Sequence, residues 1–590
     1  MNAVEINGIR SSVYAQNPLI HCITNPISIN QCANAVLSAG ARPIMAEHPL
    51  EVAEITATAS ALMLNIANIT DVRMESIKTA SYTAKKYHIP SVLDIVGISC
   101  SDVYVYLLNS QYYAGIPTRH IENIYISPVF CYLTSLLFRI GLMDKLAIFI
   151  VSGIFAIIGN IGLYLLFRKY FDEILSLTGV IIFSSSTLFL TWLGNGTLDI
   201  PGVCMIIWSV LFLIIAVKEN PKFYPIFFTV FTVGVFTRYT LLLISPALIL
   251  FYIYENGFKI KRDEVKHILI GVLIAIILTN GIMHVLTDMG SEGFGVSGQI
   301  SGGISGTQGH LTDPAHNTDY TYYLKNLPNF ISNSYTVFRG NPVLENPTIL
   351  SWSIIAILII GAGIWLYDNK PKVTKRDIIP VVLFIISIAT FSHVSSSIST
   401  VLVFIGLYLL GRKSENKTGF FMLALILSNL IYLSYFDIKV NRYILPIFPA
   451  LTFFILTAIK NINYHIKINK NIIPIVLIGL FIIQAFAFTA TFEPTNQYNS
   501  TEVMSDYLAS IDPNYTDVPI ATYNIRPFLW WIGDNAEGIP RTDVNAIKNS
   551  NVTYYISNAK IDNLTNYTEI KHIDPLYLYK KGNNSNLTSF

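Results

Sequence analysis

The chain has 590 residues, of which 52% are hydrophobic and only 13% are charged, and its formal net charge is +2. Soluble globular proteins usually carry about 25% charged residues, so the composition favours a membrane protein. The small net charge argues against a nucleic-acid partner. None of the five cysteines follows Cys204, so no disulfide framework is predicted for the C-terminal part.

The composition changes along the chain and predicts four segments. Residues 1–101 have the composition of a soluble domain, and residues 492–590 are polar and rich in Asn, Tyr and Thr. Residues 146–491 consist mostly of apolar stretches of about 15–22 residues, a length that suits a bilayer core of about 30 Å. Residues 102–145 are predicted to form an outer loop with an interfacial helix. The twelve predicted spans begin near Leu146, Ile174, Pro201, Phe223, Thr240, His267, Thr348, Ile378, Ser396, Phe420, Tyr443 and Ile472.

The first segment contains short apolar strands, such as residues 61–64 and 91–95, that alternate with helical stretches such as residues 72–87. This alternation is typical of an α/β unit. Its motifs, in chain order, occupy residues 17–25, 30–34, 43–46, 64–65 and 92–97. Over residues 10–101 the segment resembles hydroxyethylthiazole kinase, a thiamine-salvage enzyme with a ribokinase-like fold. The resemblance implies that Met45 contacts the thiazole alcohol; the alternative is an ordinary core or interface methionine.

The resemblance to the kinase stops at Ser101. The family's later half carries the nucleotide site, with a Gly-rich loop at a helix N-terminus, and nothing later in this sequence matches it. Half of a layered α/β domain also leaves sheet edges and core faces uncovered. We therefore expect no ATP-dependent phosphorylation of hydroxyethylthiazole by this truncated segment, and ATP and Mg²⁺ are cofactors only if the kinase half is complete. The abrupt change predicts a fused or chimeric chain.

The loops between the predicted spans alternate in charge. One set, which includes Lys169, Lys218 and Lys261, holds 18 Lys and Arg residues, and the other set holds 6. Because positively charged loops stay in the cytoplasm, the first set is predicted to face inward, which places the C-terminus outside a multi-pass protein of the cell membrane. The apolar residues 126–142 contain Arg139, and a span here would invert every later loop. They are therefore predicted to form a helix at the outer interface.

After residue 101 the motifs of a second family follow, at residues 102–115, 195–201, 238–239 and 441–446. Residues 102–590 resemble the glycosyltransferases that use polyprenyl-phosphate sugars, of the protein O-mannosyltransferase and aminoarabinose transferase type. The resemblance implies a mainly α, polytopic GT-C fold, a lipid-linked sugar donor in the bilayer, and a hydroxyl acceptor on a protein or a glycolipid. The family usually has one span before its acidic first loop, a place that the kinase-like segment takes here.

Sugar transfer from a phosphate donor to a hydroxyl requires a base near the attacking oxygen and a cation near the departing phosphate. Asp102 is the candidate base, and its alternative role is to cap a helix. Glu122, on the same outer loop, is a second acid candidate. Arg238, followed by Tyr239, is the candidate phosphate ligand because a guanidinium group matches phosphate geometry. The alternative for Arg238 is a positively charged anchor at the end of a span.

Two further residues near the outer face complete the candidate site. Arg442 has the same two interpretations as Arg238, and Asp199 is predicted to bind Arg238 or the sugar, or to be a turn residue. No metal site is predicted, and no cofactor is certain besides the lipid-linked sugar donor. Residues 492–590 are long enough for a small α/β domain that binds the acceptor or covers the membrane part.

The alternative function is transport or flipping of a substrate across the membrane. Transporters usually have broken helices or ionisable groups near the middle of the bilayer. The predicted spans of this chain carry almost no central charge, and its acidic residues and arginines lie in the outer loops. This distribution favours a glycosyltransferase at the membrane interface over a transporter.

Overall fold

A computed structural model shows two compact units, residues 100–493 and a second unit formed by residues 1–99 and 494–590. The structure describes residues 12–24, 29–65, 71–94, 102–116, 126–288, 317–333, 337–339, 341–342, 347–369, 378–391, 393–412, 414–436, 439–466, 469–491, 493–494, 499–533, 536–541, 543–561 and 564–582.

The N-terminal segment contains a four-stranded parallel sheet in the order β2-β1-β3-β4. Its strands and helices are β1 (Leu19–Ile23), α1 (Ile29–Ser38), β2 (Arg42–Ile44), α2 (Val52–Thr58), β3 (Ala61–Asn65), α3 (Asp71–Lys86) and β4 (Ser91–Asp94). The last three confirm the predicted strands and helix. Leu62 and Leu64, which share one face of β3, form a buried apolar cluster with Val52 of α2 and Ile77 of α3.

The membrane unit is almost entirely helical. Its helices are α4 (Asp102–Tyr113), α5 (Pro128–Arg139), α6 (Leu146–Arg168), α7 (Glu173–Ser184), α8 (Thr187–Leu193), α9 (Asp199–Lys218), α10 (Tyr224–Thr237), α11 (Ser245–Asn256), α12 (Arg262–Asp288), α13 (Tyr322–Lys325), α14 (Leu327–Ile331), α15 (Ile349–Asn369), α16 (Ile378–Ala389), α17 (Ser396–Gly411), α18 (Lys417–Tyr435), α19 (Phe448–Ile466) and α20 (Ile472–Thr491). Three 3-10 helices, at Pro221–Phe223, Tyr239–Ile244 and Asn441–Ile447, precede α10, α11 and α19. Between α14 and α15 the short strands β5 (Val337–Arg339) and β6 (Asn341–Pro342) pair in antiparallel fashion, and β7 (Glu493–Pro494) follows α20.

Within the described residues, eight helices are long and apolar enough to cross a membrane, and nine if the bent pair α7–α8 is one span. A helix lies at each of the twelve predicted starts, but α10, α16 and α17 have only 14, 12 and 16 residues. The number twelve therefore stays a prediction. The mainly α membrane unit, joined to a truncated α/β segment and a small C-terminal sheet, confirms the predicted fold class.

Ion pairs link the loops that were predicted to face the cytoplasm. Lys218 lies 3.2 Å from Glu255, and Lys470 lies 3.0 Å from Asp172, so that loops far apart in sequence meet at one end of the helices. Further ion pairs at the same end are Lys169–Glu219 and Lys417–Glu255, and His465 Nε2 lies 3.5 Å from Asp368 Oδ1. The two loop sets of the charge pattern thus correspond to the two ends of the unit, while the side on which each end lies stays a prediction.

Helix α5, predicted to lie at the outer interface, has 12 residues. It spans about 18 Å, which is less than the bilayer core of about 30 Å. Ser127 at its start donates to the carbonyl oxygen of Thr237 at 2.7 Å. Arg139 at its end does not simply point outward, because its Nη2 donates to the carbonyl oxygen of Tyr113 at 2.6 Å, at the C-terminus of α4. The interfacial position of α5 stays a prediction.

The C-terminal segment contains a five-stranded mixed sheet in the order β11-β12-β10-β8-β9. Its elements are α21 (Asn499–Ile511), the 3-10 helix Tyr515–Asp517, β8 (Ile520–Thr522), α22 (Ile525–Trp531), β9 (Ala536–Gly538), α23 (Val544–Asn549), β10 (Tyr554–Ser557), β11 (Tyr567–Ile573) and β12 (Leu576–Lys581). Ala521, Tyr555 and Tyr579 of the sheet pack with Ile547 of α23, so that a short apolar core supports the sheet. This agrees with the predicted small α/β domain.

Candidate functional site

Four charged residues from distant parts of the membrane unit meet at the end of its helices opposite the basic loops. Asp102 begins α4 and Asp199 begins α9, whereas Arg238 follows α10 and Arg442 lies in the 3-10 helix before α19. Arg442 Nη2 donates to Asp102 Oδ2 at 2.9 Å, and Arg442 Nη1 lies 3.9 Å from Asp199 Oδ2. Arg238 forms an ion pair with Asp199 through its own Nη1. We call these four residues the charged cluster.

The two ion pairs of the charged cluster differ in burial. The side chains of Asp199 and Arg238 are only 2% and 7% exposed, whereas those of Asp102 and Arg442 are 36% and 16% exposed. Each aspartate lies in the first turn of a helix, where the peptide dipoles favour a negative charge. The cluster therefore has a buried half, Asp199–Arg238, and a half that solvent can partly reach, Asp102–Arg442.

Local sequence explains the position of the buried half. Thr197 Oγ1 donates to Asp199 Oδ2 at 2.7 Å, so the residues before α9 orient the carboxylate. Gly202 allows the stem of Arg238 to pass close to α9, because a Cβ atom at this position would lie 2.7 Å from Arg238 Cδ. Asp199 thus binds Arg238, which is one of its predicted roles.

Aromatic rings line the two arginines. The guanidinium carbon of Arg442 lies 5.3 Å from the ring centre of Trp192 and 5.5 Å from that of Tyr443, and the guanidinium carbon of Arg238 lies 6.0 Å from the ring centre of Tyr443. Cations are attracted to aromatic faces at such distances. Trp192 is buried, and its Nε1 donates to Asn441 Oδ1 at 3.1 Å.

A buried lysine lies close in sequence to Arg442. Lys439 Nζ donates to the carbonyl oxygens of Leu433, Ser434 and Phe436 at 2.9, 2.9 and 2.6 Å, at the C-terminus of α18. A cation at this position complements the negative end of the helix dipole and binds carbonyl groups that lack helical partners. These bonds fix the segment that leads into the 3-10 helix of Arg442.

Two predicted site residues are not members of the charged cluster, and a third is not described by the structure. Tyr239 begins the 3-10 helix after Arg238 and packs edge-on against Phe236 at 6.2 Å, while Tyr443 takes the place next to the arginines. Met45 is half-buried after β2, in the N-terminal segment. Glu122 lies outside the described residues.

Sequence reasoning did not single out Trp192, Thr197 or Tyr443. Thr197 and Tyr443 lie inside the motifs at residues 195–201 and 441–446, so the sequence carried a signal for both, although it gave neither a role in the site. The sequence gives a weaker signal for Trp192, since the position of this residue depends on the break between α7 and α8. Such a break, here with a bend of 59°, is typical of transporters, but the side-chain hydrogen bonds of Ser186, Thr187 and Gln484 at this break join uncharged groups.

Two family models match separate parts of the chain. Residues 11–116 match the hydroxyethylthiazole kinase family, and residues 126–283 match the dolichyl-phosphate-mannose-protein mannosyltransferase family. The first match extends beyond Ser101, the predicted end of the resemblance to the kinase. The chain therefore joins a kinase-like N-terminal part to a mannosyltransferase-like membrane part, as the sequence predicted.

Curated relatives match the N-terminal part. Hydroxyethylthiazole kinase 2 of Clostridium botulinum is 58% identical over 93 residues, which are 16% of this chain and 35% of the kinase. Hydroxyethylthiazole kinase of Finegoldia magna is 48% identical over 97 residues, which are 16% of this chain and 36% of the kinase. The chain thus spans about a third of the length of the kinases that it matches.

A solved structure matches most of the chain. ArnT from Cupriavidus metallidurans, bound to undecaprenyl phosphate, superimposes with a TM-score of 0.54 at 10% identity, over 82% of this chain and 94% of ArnT. The apo form of the same protein gives a TM-score of 0.50 at 9% identity and the same coverage. The membrane unit therefore has the GT-C fold of ArnT.

Proposed function

We propose that the membrane unit transfers a sugar from a polyprenyl-phosphate donor to a hydroxyl group of an acceptor on the outer face. The observation that carries this proposal is the pairing of Asp102 with Arg442 at the end of the helices opposite the basic loops. A carboxylate beside a guanidinium group provides both a proton acceptor and a phosphate ligand within a few ångström. The fold of ArnT and the match to the mannosyltransferase family support the glycosyltransferase class.

The reaction assigns one role to each member of the reachable pair. The acceptor oxygen attacks the anomeric carbon, its proton passes to the Asp102 carboxylate, and the bond between the anomeric carbon and the phosphate oxygen breaks. The electrons of that bond remain on the departing polyprenyl phosphate, whose charge Arg442 binds through its N–H groups. Atoms and charge balance without a further reactant.

Donor binding and base activation are coupled in this scheme. Arg442 Nη2 binds Asp102 in the structure, and the donor phosphate requires the same guanidinium group. Phosphate that binds Arg442 therefore competes with Asp102 and releases the carboxylate for the acceptor hydroxyl. The ArnT structure holds undecaprenyl phosphate, which supports a lipid phosphate as the occupant.

Arg238 takes a supporting role in this proposal. It is buried and paired with Asp199, so a donor phosphate would have to displace a buried counter-charge to reach it. Burying a charge without its partner costs several kcal/mol. We therefore assign the phosphate contact to Arg442, and we assign to Asp199 and Arg238 the task of holding the ends of α9 and α10.

The acceptor and the orientation follow from the same arrangement. The basic loops at the opposite end favour a cytoplasmic location for that end, which supports an outer location for the charged cluster and for the C-terminal segment. The acceptor is then a protein or glycolipid hydroxyl at the outer surface. The N-terminal part adds no second function to this proposal, because it spans about a third of a kinase.

The test uses Asp102→Asn in the full-length protein reconstituted in lipid vesicles, with radiolabelled polyprenyl-phosphate sugar and a hydroxyl acceptor. We expect transfer to fall at least about a hundredfold, the usual contribution of a general base, while donor binding stays equal or becomes tighter because the competing carboxylate is lost. Asp319→Asn is the matched control. Asp319 also pairs with a cation, Lys325 at 2.9 Å, but lies outside the charged cluster.

Three outcomes contradict the proposal. If Asp102→Asn transfers sugar at the wild-type rate, Asp102 is not the base. If its loss of activity equals that of Asp319→Asn, the cluster has no special role. If the wild-type protein releases no polyprenyl phosphate but moves an intact lipid-linked sugar between leaflets, the transporter alternative is correct.

A further inference from the structure

Trp192 connects the broken helix pair α7–α8 with Arg442. It is one of the largest fully buried side chains of the protein, and it contacts the Arg442 segment in two ways. Its indole N–H donates to the side chain of Asn441, the residue before Arg442, and its ring lies beside the Arg442 guanidinium group. One contact fixes the backbone segment and the other fixes the side chain.

The break between α7 and α8 sets the position of Trp192. Ser186 caps α8 by accepting from the N–H of Phe189 at 3.3 Å, and it donates to the carbonyl oxygen of Phe183 at 2.8 Å. Gln484 Nε2 of α20 donates to the carbonyl oxygen of Ser185 at 3.1 Å. A helix broken inside a membrane requires such replacements for its lost backbone bonds. The bend of 59° is therefore a fixed feature of the fold.

Tyr443 lies on the guanidinium group as well. Its ring centre is 5.5 Å from the guanidinium carbon of Arg442, which thus has aromatic rings from α8 and from its own 3-10 helix as neighbours. Arg is the cation that suits such stacking, because its guanidinium group is planar. A plane held by rings can present its N–H groups only in a narrow range of directions, which include that of Asp102.

We propose that Trp192 is a positioning residue for Arg442. Its indole N–H and its ring hold the guanidinium plane so that the N–H groups face Asp102 and the donor phosphate. The role of Trp192 rests on the proposed function, because Arg442 binds the donor phosphate only in that proposal. The arrangement of the side chains can nevertheless be tested in a protein that shows no enzyme activity. Trp192 itself does not contact the reacting atoms.

The experiment measures how fast phenylglyoxal modifies Arg442 in full-length protein in lipid nanodiscs, with mass spectrometry of each arginine-containing peptide. Trp192→Phe keeps a ring and removes the N–H. Loss of one buried hydrogen bond changes an equilibrium about two- to tenfold, so we expect Arg442 to react roughly two- to tenfold faster. Arg168 and Arg412, at the basic end, are expected to react as in the wild type.

Trp208→Phe is the matched control. The indole N–H of Trp208 donates to the carbonyl oxygen of Ile158 at 3.1 Å, the same length as the bond from Trp192, but away from the charged cluster. We expect it to leave the Arg442 rate unchanged. A general loosening of the membrane unit would instead accelerate all three arginines, which would overturn the positioning role.

A second variant allows the test to be carried out if the first variant does not fold. If Trp192→Phe cannot be produced, Asn441→Ala removes the acceptor from the other side of the same hydrogen bond and is expected to give the same selective increase. An unchanged Arg442 rate in the variant that is produced overturns the proposal, whether or not the wild type transfers sugar.

Kinetics separate this inference from the proposed function. In an active wild type, Trp192→Phe is expected to lower kcat/KM for the donor about two- to tenfold, and to have no further effect in an Arg442→Lys background. An equal loss in both backgrounds shows that Trp192 does not act through Arg442. If the wild type is inactive with every donor, the proposed function fails, and the phenylglyoxal rates still decide the positioning role.

Discussion

Replacing Asp199 by Asn tests the division of the charged cluster into a buried half and a reachable half. Asp199→Asn keeps the size and one oxygen of the side chain but removes its charge. Arg238 then remains in a site where it is only 7% exposed, without its counter-charge. Arg442 Nη1 lies 3.9 Å from Asp199 Oδ2 and brings a second positive charge close to Arg238, which increases the loss of stability that Asp199→Asn causes.

The expected magnitude follows from burial. Removing one partner of a buried ion pair costs about 3–5 kcal/mol, because the remaining charge is not solvated. An ion pair that is fully exposed contributes only about 0–1 kcal/mol, and the pair Asp102–Arg442 is more exposed than Asp199–Arg238, so Asp102→Asn is expected to lower stability less than Asp199→Asn. For a unit of this size, about 3 kcal/mol lowers the midpoint of thermal unfolding by roughly 4 °C.

The assay is thermal unfolding of the reconstituted protein, followed by intrinsic fluorescence, for Asp199→Asn, Asp102→Asn and the double variant Asp199→Leu with Arg238→Met. We expect Asp199→Asn to lower the midpoint most. The double variant is expected to recover part of the loss, since it leaves no charge of that pair buried. Equal midpoints for the two single variants would refute the division, and a double variant worse than Asp199→Asn would refute the role of the stranded arginine.

Two further predictions concern packing and orientation. Gly202→Ala is expected to displace Arg238, whose Cδ would lie 2.7 Å from the new Cβ, and to destabilise the protein by about 1–3 kcal/mol. In the control Gly153→Ala, the new Cβ meets no atom within 4 Å, so the unfolding midpoint is expected to change little. Equal midpoints for the two variants would show that Arg238 is not fixed in place. An epitope tag inserted after Lys261 is expected to be protected from an impermeant antibody in intact cells, because the basic loops stay in the cytoplasm, and labelling before permeabilisation would show that the orientation is wrong.

The sequence predicted the positions of the helices better than their lengths and their contacts. Apolar stretches of suitable length give the helices directly, because each helix satisfies its own backbone groups and only its length and hydrophobicity matter in a membrane. The predicted starts near Leu146, Ile378 and Ile472 accordingly begin helices at those residues. The lengths of α10 and α16 were not predicted, since the ends of short helices depend on packing that a hydropathy pattern does not contain.

The contacts of the candidate site were only partly predictable. Asp102 and Arg442 are 340 residues apart, and no periodicity reaches over such a distance. Charge and position at the outer loops selected Asp102, Asp199, Arg238 and Arg442 as candidates. They gave Arg238 as one possible partner of Asp199, but they did not indicate that Asp102 pairs with Arg442, because that pairing depends on how the helix ends meet.

The break between α7 and α8 had a local signal that hydropathy conceals. Three serines, at residues 184–186, interrupt an apolar stretch that is otherwise continuous enough to be one span. Serine hydroxyl groups bind backbone carbonyls and compete with helical hydrogen bonds, as Ser186 does with Phe183. The three serines lower the mean hydropathy of the segment only slightly, but their hydroxyl groups allow the helix to bend at this point.

The burial of the four charges decides their roles more strongly than their identity does. Either Asp could accept a proton, and either Arg could bind a phosphate group. A substrate, however, can replace the counter-ion only of a charge that water also reaches. In a medium of low dielectric constant, the loss of a buried counter-ion costs more free energy than a new contact with phosphate provides. Asp102 and Arg442 meet this condition, and Asp199 and Arg238 do not. In the proposed reaction, the chemistry is therefore assigned to Asp102 and Arg442, while Asp199 and Arg238 neutralise each other inside the protein.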